Sequence, residues 1–359
     1  MTAKSSPFDA TTLATWLQEV AGTHGPVNLE RIGSGQSNLT YTATDAHGRV
    51  VVVRRPPLGQ LAANAHDVVR EGRIMAALEG TDVPVPHIYG HTTLGDVPVV
   101  AMSAVEGVTM NSTSVAEAVT PQVRRTIANG LIDSMVAIHN VDLVATGLDD
   151  LASHKPYAPR QLRRWAGQWE KTKTRELSAL DELTALLERA QPHPDGDGNL
   201  GGRGGSSHSY ETTLVHGDLH LGNVIADPQT GAVNAVVDWE LTTLGDPLAD
   251  IGSLLAYWPT PEGLKLPGFE AALAEGFPTP DELAERYLTL TGRSEDSLGP
   301  LGFWHVLGLW KVAIIVEGVV RRVQNNPSNR AVTGAPTPEM VEWIVGYAHT
   351  MASRYGLSS

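Results

Sequence analysis

The order of apolar and polar positions divides the chain near Gly107. Ahead of that point, TLATWLQEV repeats apolar residues at helical spacing, and LERIGSGQSNLTYTATDAHGRVVVVRRPP alternates with the period of strands. Gly33 and Gly35 mark one turn in that stretch, DAHG over residues 45–48 marks another, and the run 50–53 is an apolar strand. AHDVVREGRIMAAL, over residues 65–78, returns to helical spacing with Val68, Ile74, Met75 and Leu78 inward, and Pro84 and Pro86 follow as stop signals. VPVVAMSAVEG is again strand-like. The first hundred residues thus predict a small sheet with a helix packed on it.

Beyond Gly107 the pattern is mostly helical, as in TIANGLIDSMVAIHNVD and in the tryptophan-bearing residues 298–323. Short apolar runs interrupt it: Leu214 and Val215, Val224 and Ile225, then residues 235–237, which predict a buried strand delivering Asp238 at its end. The expected fold class is α+β with two lobes. A small β-rich lobe covers residues 1–106 with a hinge near 102–107, and a larger, mainly helical lobe covers 107–359. A glycine- and serine-rich segment over 191–209, QPHPDGDGNLGGRGGSSHS, lacks apolar anchors and reads as an exposed insertion.

Composition narrows the function. A chain of 359 residues suits two lobes sharing a cleft. A formal charge of −14, from 40 acidic against 26 basic residues, repels a phosphate backbone at long range and argues against nucleic-acid binding. Any anionic ligand must then be held by local groups. The absence of cysteine removes disulfides, thiolate catalysis and cysteine-ligated metal sites. With no secretory pattern in MTAKSSPFDATTLATW, a cytoplasmic protein is expected. The apolar run 301–320 approaches membrane-spanning length, but His305, Lys311 and Glu317 inside it favour a buried helix, so no membrane partner is expected.

The candidate chemistry sits in LVHGDLHLGNVIAD. Asp218 lies in a loop held at both ends by apolar runs, Asn223 follows five residues later, and Asp238 fifteen further on. Two carboxylates and an amide form the minimum set for phosphoryl transfer from a magnesium nucleotide. The first carboxylate takes the proton of an acceptor hydroxyl, and the amide and second carboxylate offer hard oxygen ligands. His216 and His220 around Asp218 also allow a second reading, ligands of a metal-dependent hydrolase.

At these residues the chain resembles a known family. HGDLHLGN followed by VVDWE is similar to the catalytic loop and metal segment of the aminoglycoside phosphotransferase (choline kinase-like) family. Together, SGQSNLTY, VVVRRPPLG, AHDVVREGRIMAAL, VDWELTTLGDPLADIGSLLAYW and VEGVVRR resemble the kinase-like domain fused to certain acyl-CoA dehydrogenases, and its free-standing bacterial relatives. The resemblance implies a protein-kinase-like fold and a Mg²⁺-dependent kinase that uses ATP or GTP on a hydroxyl-bearing small molecule. It makes Asp218 the catalytic base and Asn223 and Asp238 the magnesium ligands, with His216, His220, Glu240, Asp246 and Asp250 in support.

The turn IGSGQSN ahead of an apolar strand lets backbone N–H groups approach phosphate, which makes Gly33, Ser34, Gly35, Ser37 and Asn38 candidates for the phosphates, with a plain hairpin as the alternative; the resemblance implies Met102, Ser103 and Val105 at the base. Arg54, paired with Glu71, stands where kinases carry lysine; an exposed surface pair is the alternative. Tyr257 and Trp258 are candidates for the acceptor pocket or for the core, and Arg321 and Arg322 for anionic substrate or a helix end. The acceptor implied is a hydroxyacyl-CoA-like metabolite or an aminoglycoside. Arg160, Arg163 and Arg164 fit CoA phosphates or simply a solvated helix face. A kinase-fold regulatory module without turnover is the remaining alternative.

Overall fold

The computed structural model describes residues 9–33, 38–57, 67–152, 156–192, 212–261, 263, 265–293, 297–325 and 336–357. Ser34, Gly35, Ser37 and the insertion from residue 193 onward lie outside the described residues. Two compact units make up the chain: residues 1–107 with 234–241, and residues 108–233 with 242–359.

In the first unit, alternating apolar residues build one antiparallel sheet of five strands in the order β1-β2-β3-β5-β4. These are β1 (Asn28–Ile32), β2 (Leu39–Thr44), β3 (Val50–Arg55), β4 (Ile88–Leu94) and β5 (Val97–Ser103). Helix α1 (Ala10–Ala21) starts on an Asp9 cap, and its Leu13 and Leu17 bury against Tyr41, Val51, Val53 and Val99. The Asp45 carboxylate accepts the amides of His24, His47 and Arg49, which closes the turn between β2 and β3. Helix α2 (Val68–Leu78) buries Val68, Ile74, Met75 and Leu78, the four residues its sequence spacing turned inward. It packs close to the sheet because Gly72 leaves room for Val100; a Cβ at that position would stand 3.0 Å from the valine.

Strand β4 was absent from the sequence reading. It is an edge strand of mostly exposed or half-exposed residues around Gly90, so it carries no apolar alternation. Chain order alone also assigns residues 234–241 to the second lobe, whereas in the structure they group with the first unit. Hydrogen bonds explain this: Val236 N–H donates to the Pro84 carbonyl at 2.7 Å, and Asn234 Nδ2 to the Glu106 carbonyl at 2.9 Å.

The second unit is mainly helical: α3 (Thr113–Glu117), α4 (Pro121–His139), α5 (Tyr157–Thr172), α6 (Ser178–Ala190), α7 (Leu248–Tyr257), α8 (Pro280–Leu290), α9 (Leu298–Asn325) and α10 (Pro338–Arg354). Short strands carry the polar loop. They are β6 (Thr213–Val215), β7 (Val224–Ala226), β8 (Val233–Val236), which leads into the 234–241 segment, and β9 (Thr243–Gly245), antiparallel to β6.

Helix α9 is long and apolar enough to cross a membrane, yet 83% of its most apolar window is buried inside the protein. One of its polar residues is held internally. Glu317, fully buried, accepts the Thr174 amide and hydroxyl and pairs with Arg175 at 3.0 Å.

Close approach of α7 and α9 depends on two glycines. A Cβ on Gly252 would lie 2.5 Å from the Trp304 backbone, and one on Gly308 2.9 Å from the Ala256 Cβ. Gly252→Ala is therefore expected to destabilise the protein by about 1–3 kcal/mol through overpacking. Gly346→Ala, exposed within α10 with open space around it, should instead stabilise by roughly 0.5–1 kcal/mol, since alanine replaces glycine in a helix. Opposite shifts in urea midpoint check both.

Candidate functional site

The two units each assemble part of the predicted set. In the first, Asp238 stands two residues after the end of β8 and is the one non-glycine residue with positive φ (69°) among those described. Aspartate tolerates this left-handed geometry better than most side chains. Its Oδ1 lies 2.6 Å from Arg54 Nη2, and Arg54 Nε lies 2.9 Å from Glu71 Oε2. Glu71 in turn accepts the Trp239 amide at 3.2 Å, and Asn38 Nδ2 donates to Glu240 Oε2 at 3.3 Å. β3 places Arg54 and α2 places Glu71, so sheet and helix fix opposite ends of this ion pair.

Electrostatics inside the cluster follow from burial. Desolvation pushes the Glu71 carboxyl up to about 7, against the pull of Arg54, with Asp238 and Glu240 adding to the rise. Burial likewise opposes the Arg54 charge, but Glu71, Asp238 and Glu240 outweigh it and hold the guanidinium above its ordinary value. Arg54 is thus a buried cation among three carboxylates.

The other nucleotide candidates are placed separately. Gly33 takes a positive φ (75°) that suits a turn. Met102 and Ser103 sit on β5, where Ser103 Oγ accepts the His87 amide at 3.0 Å. Val105 follows, half-buried.

In the second unit the polar loop leaves β6 and is clamped from α7. The buried Asp250 carboxylate accepts the His216 amide through Oδ2 and the Gly217 amide through Oδ1, both at 2.8 Å. His139 Nε2 lies 3.2 Å from Asp250 Oδ2, and its Nδ1 is 2.8 Å from the Tyr287 hydroxyl. Gly217 at φ 85° lets the chain turn sharply here. Asp218 N–H then donates to His216 Nδ1 at 3.3 Å, and Asn223 Nδ2 donates to the Asp218 carbonyl at 2.8 Å. His220 Nδ1 accepts the Gly222 amide at 3.0 Å, with its Nε2 3.8 Å from Asp218 Oδ2. Asp246 accepts the Leu248 amide at the start of α7.

Beside this loop lies an aromatic group. Tyr257 stacks on Phe269 with centroids 4.7 Å apart, and His220 meets Phe269 at 5.1 Å. Burial and the charge of Asp218 raise the Tyr257 pKa. Trp258 is buried, its indole donating to the Pro278 carbonyl at 3.0 Å. Arg160 and Arg321 donate to the carbonyls of Leu244 and Lys171. Arg322 lines a groove between α5 and α9.

Sequence reasoning missed His139, Phe269 and the part of Lys311, on which Asp218 and Asp250 act electrostatically. His139 is the last residue of a helix whose inner face is mostly apolar, which was a usable signal. Lys311 served only as an argument against a membrane span, and Phe269 stands in a segment without periodicity.

Three comparisons bear on these half-sites. A family model described as "phosphotransferase enzyme family" matches residues 28–287. Mouse acyl-CoA dehydrogenase family member 10 is 32% identical over 361 residues, spanning 98% of this chain but 31% of the mouse protein. The chain therefore spans about a third of that relative's length. A solved protein from Ralstonia eutropha, provisionally assigned as an aminoglycoside phosphotransferase, is 28% identical with a TM-score of 0.73, covering 96% of this chain and 99% of that one. The GDP complex of an aminoglycoside 2'-phosphotransferase, 14% identical with a TM-score of 0.60 and covering 96% and 99%, shows a shared fold. The α+β class expected from the sequence is thereby that of the kinase-like phosphotransferases.

Asp250 carries the geometry of the second half-site and sets a pH expectation. Burial alone raises its pKa, but the hydrogen bond and charge of His139, the charge of His216 and the Gly217 amide hold it below its ordinary value of 3.8. A carboxyl depressed in the folded state stabilises the fold above the unfolded value and loses that effect as pH falls through the folded value. Asp250→Asn is expected to lower stability by about 2–4 kcal/mol at neutral pH, since it removes the charge and sets an NH₂ group against one of the two backbone amides while keeping an oxygen for the other. It should also narrow the stability difference from the parent below pH 3.8. Thermal melts across pH read both effects.

Proposed function

The chain belongs to the phosphotransferase enzyme family, and from that premise we propose that it moves the γ-phosphoryl group of ATP or GTP to a hydroxyl of a small organic acceptor. The observation that carries this reading is the locked loop: Asp218 and Asn223 are joined through the Asn223 amide, and the backbone before Asp218 is fixed by Asp250. Asp218, whose side chain is 32% exposed, remains open to take the acceptor's proton. General-base help of this kind contributes roughly 10²–10⁴ in rate.

Each unit offers magnesium a hard oxygen donor. In the second, Asn223 donates through its nitrogen, which leaves Oδ1 for a metal; in the first, Asp238 offers a partly exposed carboxylate. Mg²⁺ bound with a nucleotide would neutralise charge on the phosphates. Arg54 is the groups' own cation for phosphate oxygens, its charge secured by Glu71, and arginine can meet two oxygens at once where lysine meets one. The GDP complex of a phosphotransferase of the same fold supports keeping a guanine nucleotide as a candidate.

For the acceptor, a hydroxyacyl-CoA-like metabolite is favoured. The similarity to the mouse acyl-CoA dehydrogenase relative supports it. The hydrolase reading fits poorly: in both His216 and His220, Nδ1 accepts a backbone N–H, so in the neutral ring Nε2 carries the proton and no lone pair is left for a metal. A regulatory module would bind nucleotide and transfer nothing.

Asp218→Asn is expected to slow transfer by about 10²–10⁴ while leaving Mg-nucleotide affinity within about threefold. Asp238→Ala should weaken Mg-dependent nucleotide binding at least about tenfold and leave magnesium-free binding unchanged. Calorimetry with each nucleotide, beside a turnover assay, separates the two effects. Retention of full turnover by both variants would contradict the reading.

A further inference from the structure

Helices α5 and α9 lie side by side in the second unit, with a groove of about 250 Å³ between them. Arg164, Trp165 and Gln168 line it from α5, and Ile314, Ile315 and Arg322 from α9. The Arg164 guanidinium sits 5.7 Å from the centroid of Trp165, and the Lys311 ammonium 5.5 Å from the same ring. The Trp165 indole donates to Gln161 Oε1 at 3.2 Å, which fixes the ring that both cations cover.

The charges on these cations are not matched by neighbouring carboxylates. Arg54, Arg125, Arg175, Arg286 and Arg354 each pair with a carboxylate. Among the described residues no carboxylate is within ion-pair distance of Arg164, Lys311 or Arg322. In a chain of charge −14, two such cations lining one groove, with a third against its Trp165 ring, are a local reversal of sign. Lys311 is half-buried, and burial holds its pKa below the ordinary lysine value while Asp218 and Asp250 pull the other way.

We propose that this groove receives an anionic group of the acceptor, carboxylate or phosphate, with an apolar or planar part of the molecule against Trp165, Ile314 and Ile315. The proposal rests on the phosphotransferase reading above and deepens it: the acceptor is a hydroxylated organic anion. Arg164 and Arg322 supply planar guanidinium forks, Lys311 a point charge against the Trp165 ring, and Trp165, Ile314 and Ile315 suit a non-polar body. The same three cations repel a polycationic acceptor. A half-buried ammonium without a carboxylate partner is a cost in the isolated fold, and an arriving anion offsets it.

Binding can be read without nucleotide. Fluorine NMR titrations of the full chain would use fluorophenyl phosphate, fluorophenylacetate and, as the neutral counterpart, fluorobenzyl alcohol. The anionic probes are expected to bind at least about tenfold more tightly than the alcohol. The Lys311→Met, Arg164→Gln double variant should remove that preference, and Arg322→Gln should weaken the phosphate probe more than the carboxylate if the groove is built for phosphate. Melting temperatures of the variants check that the fold persists; Arg164 and Arg322 are exposed, so the arginine variants report even if Lys311→Met unfolds. Equal binding of charged and neutral probes, or affinities within twofold of the parent in the variants, would overturn the proposal. Failure of the reaction reading is distinguishable: anion binding intact with no phosphoryl transfer to any acceptor defeats that reading alone, whereas transfer to neutral hydroxyls unaffected by the double variant defeats the anion groove alone.

Discussion

A single buried carboxylate organises the second unit's chemistry. Asp250, on the first turn of α7, accepts two consecutive backbone amides, those of His216 and Gly217, and a bond from His139 whose other nitrogen meets Tyr287. Buried hydrogen bonds to a charged acceptor each contribute about 1.5–3 kcal/mol, so the loop is tied to α7, α4 and α8 by a network rather than by its own short strands. Through it the turn at Gly217 is set, and with it the position of Asp218 and the reach of Asn223. Side chains that must meet a reacting hydroxyl need support of this kind, because small misplacements cost large factors in rate.

The first unit uses a comparable device with opposite charge. Arg54 stands between Glu71 and Asp238, and the Trp239 amide completes the Glu71 carboxylate. The strained backbone at Asp238 is tolerated because its neighbours are anchored: Trp239 is fully buried, and its indole donates to the Val236 carbonyl at 3.0 Å. An arginine in this position keeps its charge under burial that would deprotonate a lysine more readily. That difference gives a physical reason for the departure from lysine.

Much of this was legible in the sequence where apolar period and polar spacing carry it. The inner face of α2 and the strands around 214–215 and 224–225 follow from alternation and spacing, and so does the burial of α9 despite its length. Asp218, Asn223 and Asp238 stand out because polar residues between apolar runs need a reason to be there. What the sequence hid depends on long-range contact. The membership of 234–241 in the first unit comes from bonds to Pro84 and Glu106. The His139 contact to Asp250 spans more than a hundred residues, and the cations around Trp165 come from helices whose sequences look like any solvated face and any apolar core. Edge strand β4 was hidden for the opposite reason, since exposure erases the pattern that marks a strand.

The central claim is that this loop supports phosphoryl transfer, and the most direct test is product identification. The protein would be incubated with Mg-ATP, and separately Mg-GTP, and a pool of hydroxyacyl-CoAs, hydroxy acids, aminoglycosides and neutral alcohols, with mass spectrometry reading the gain of one phosphate. The account predicts a phosphorylated hydroxyl compound bearing an anionic group, formed only when nucleotide and magnesium are both present. Nucleotide binding without any phosphorylated product, or phosphorylation of aminoglycosides alone, would contradict it.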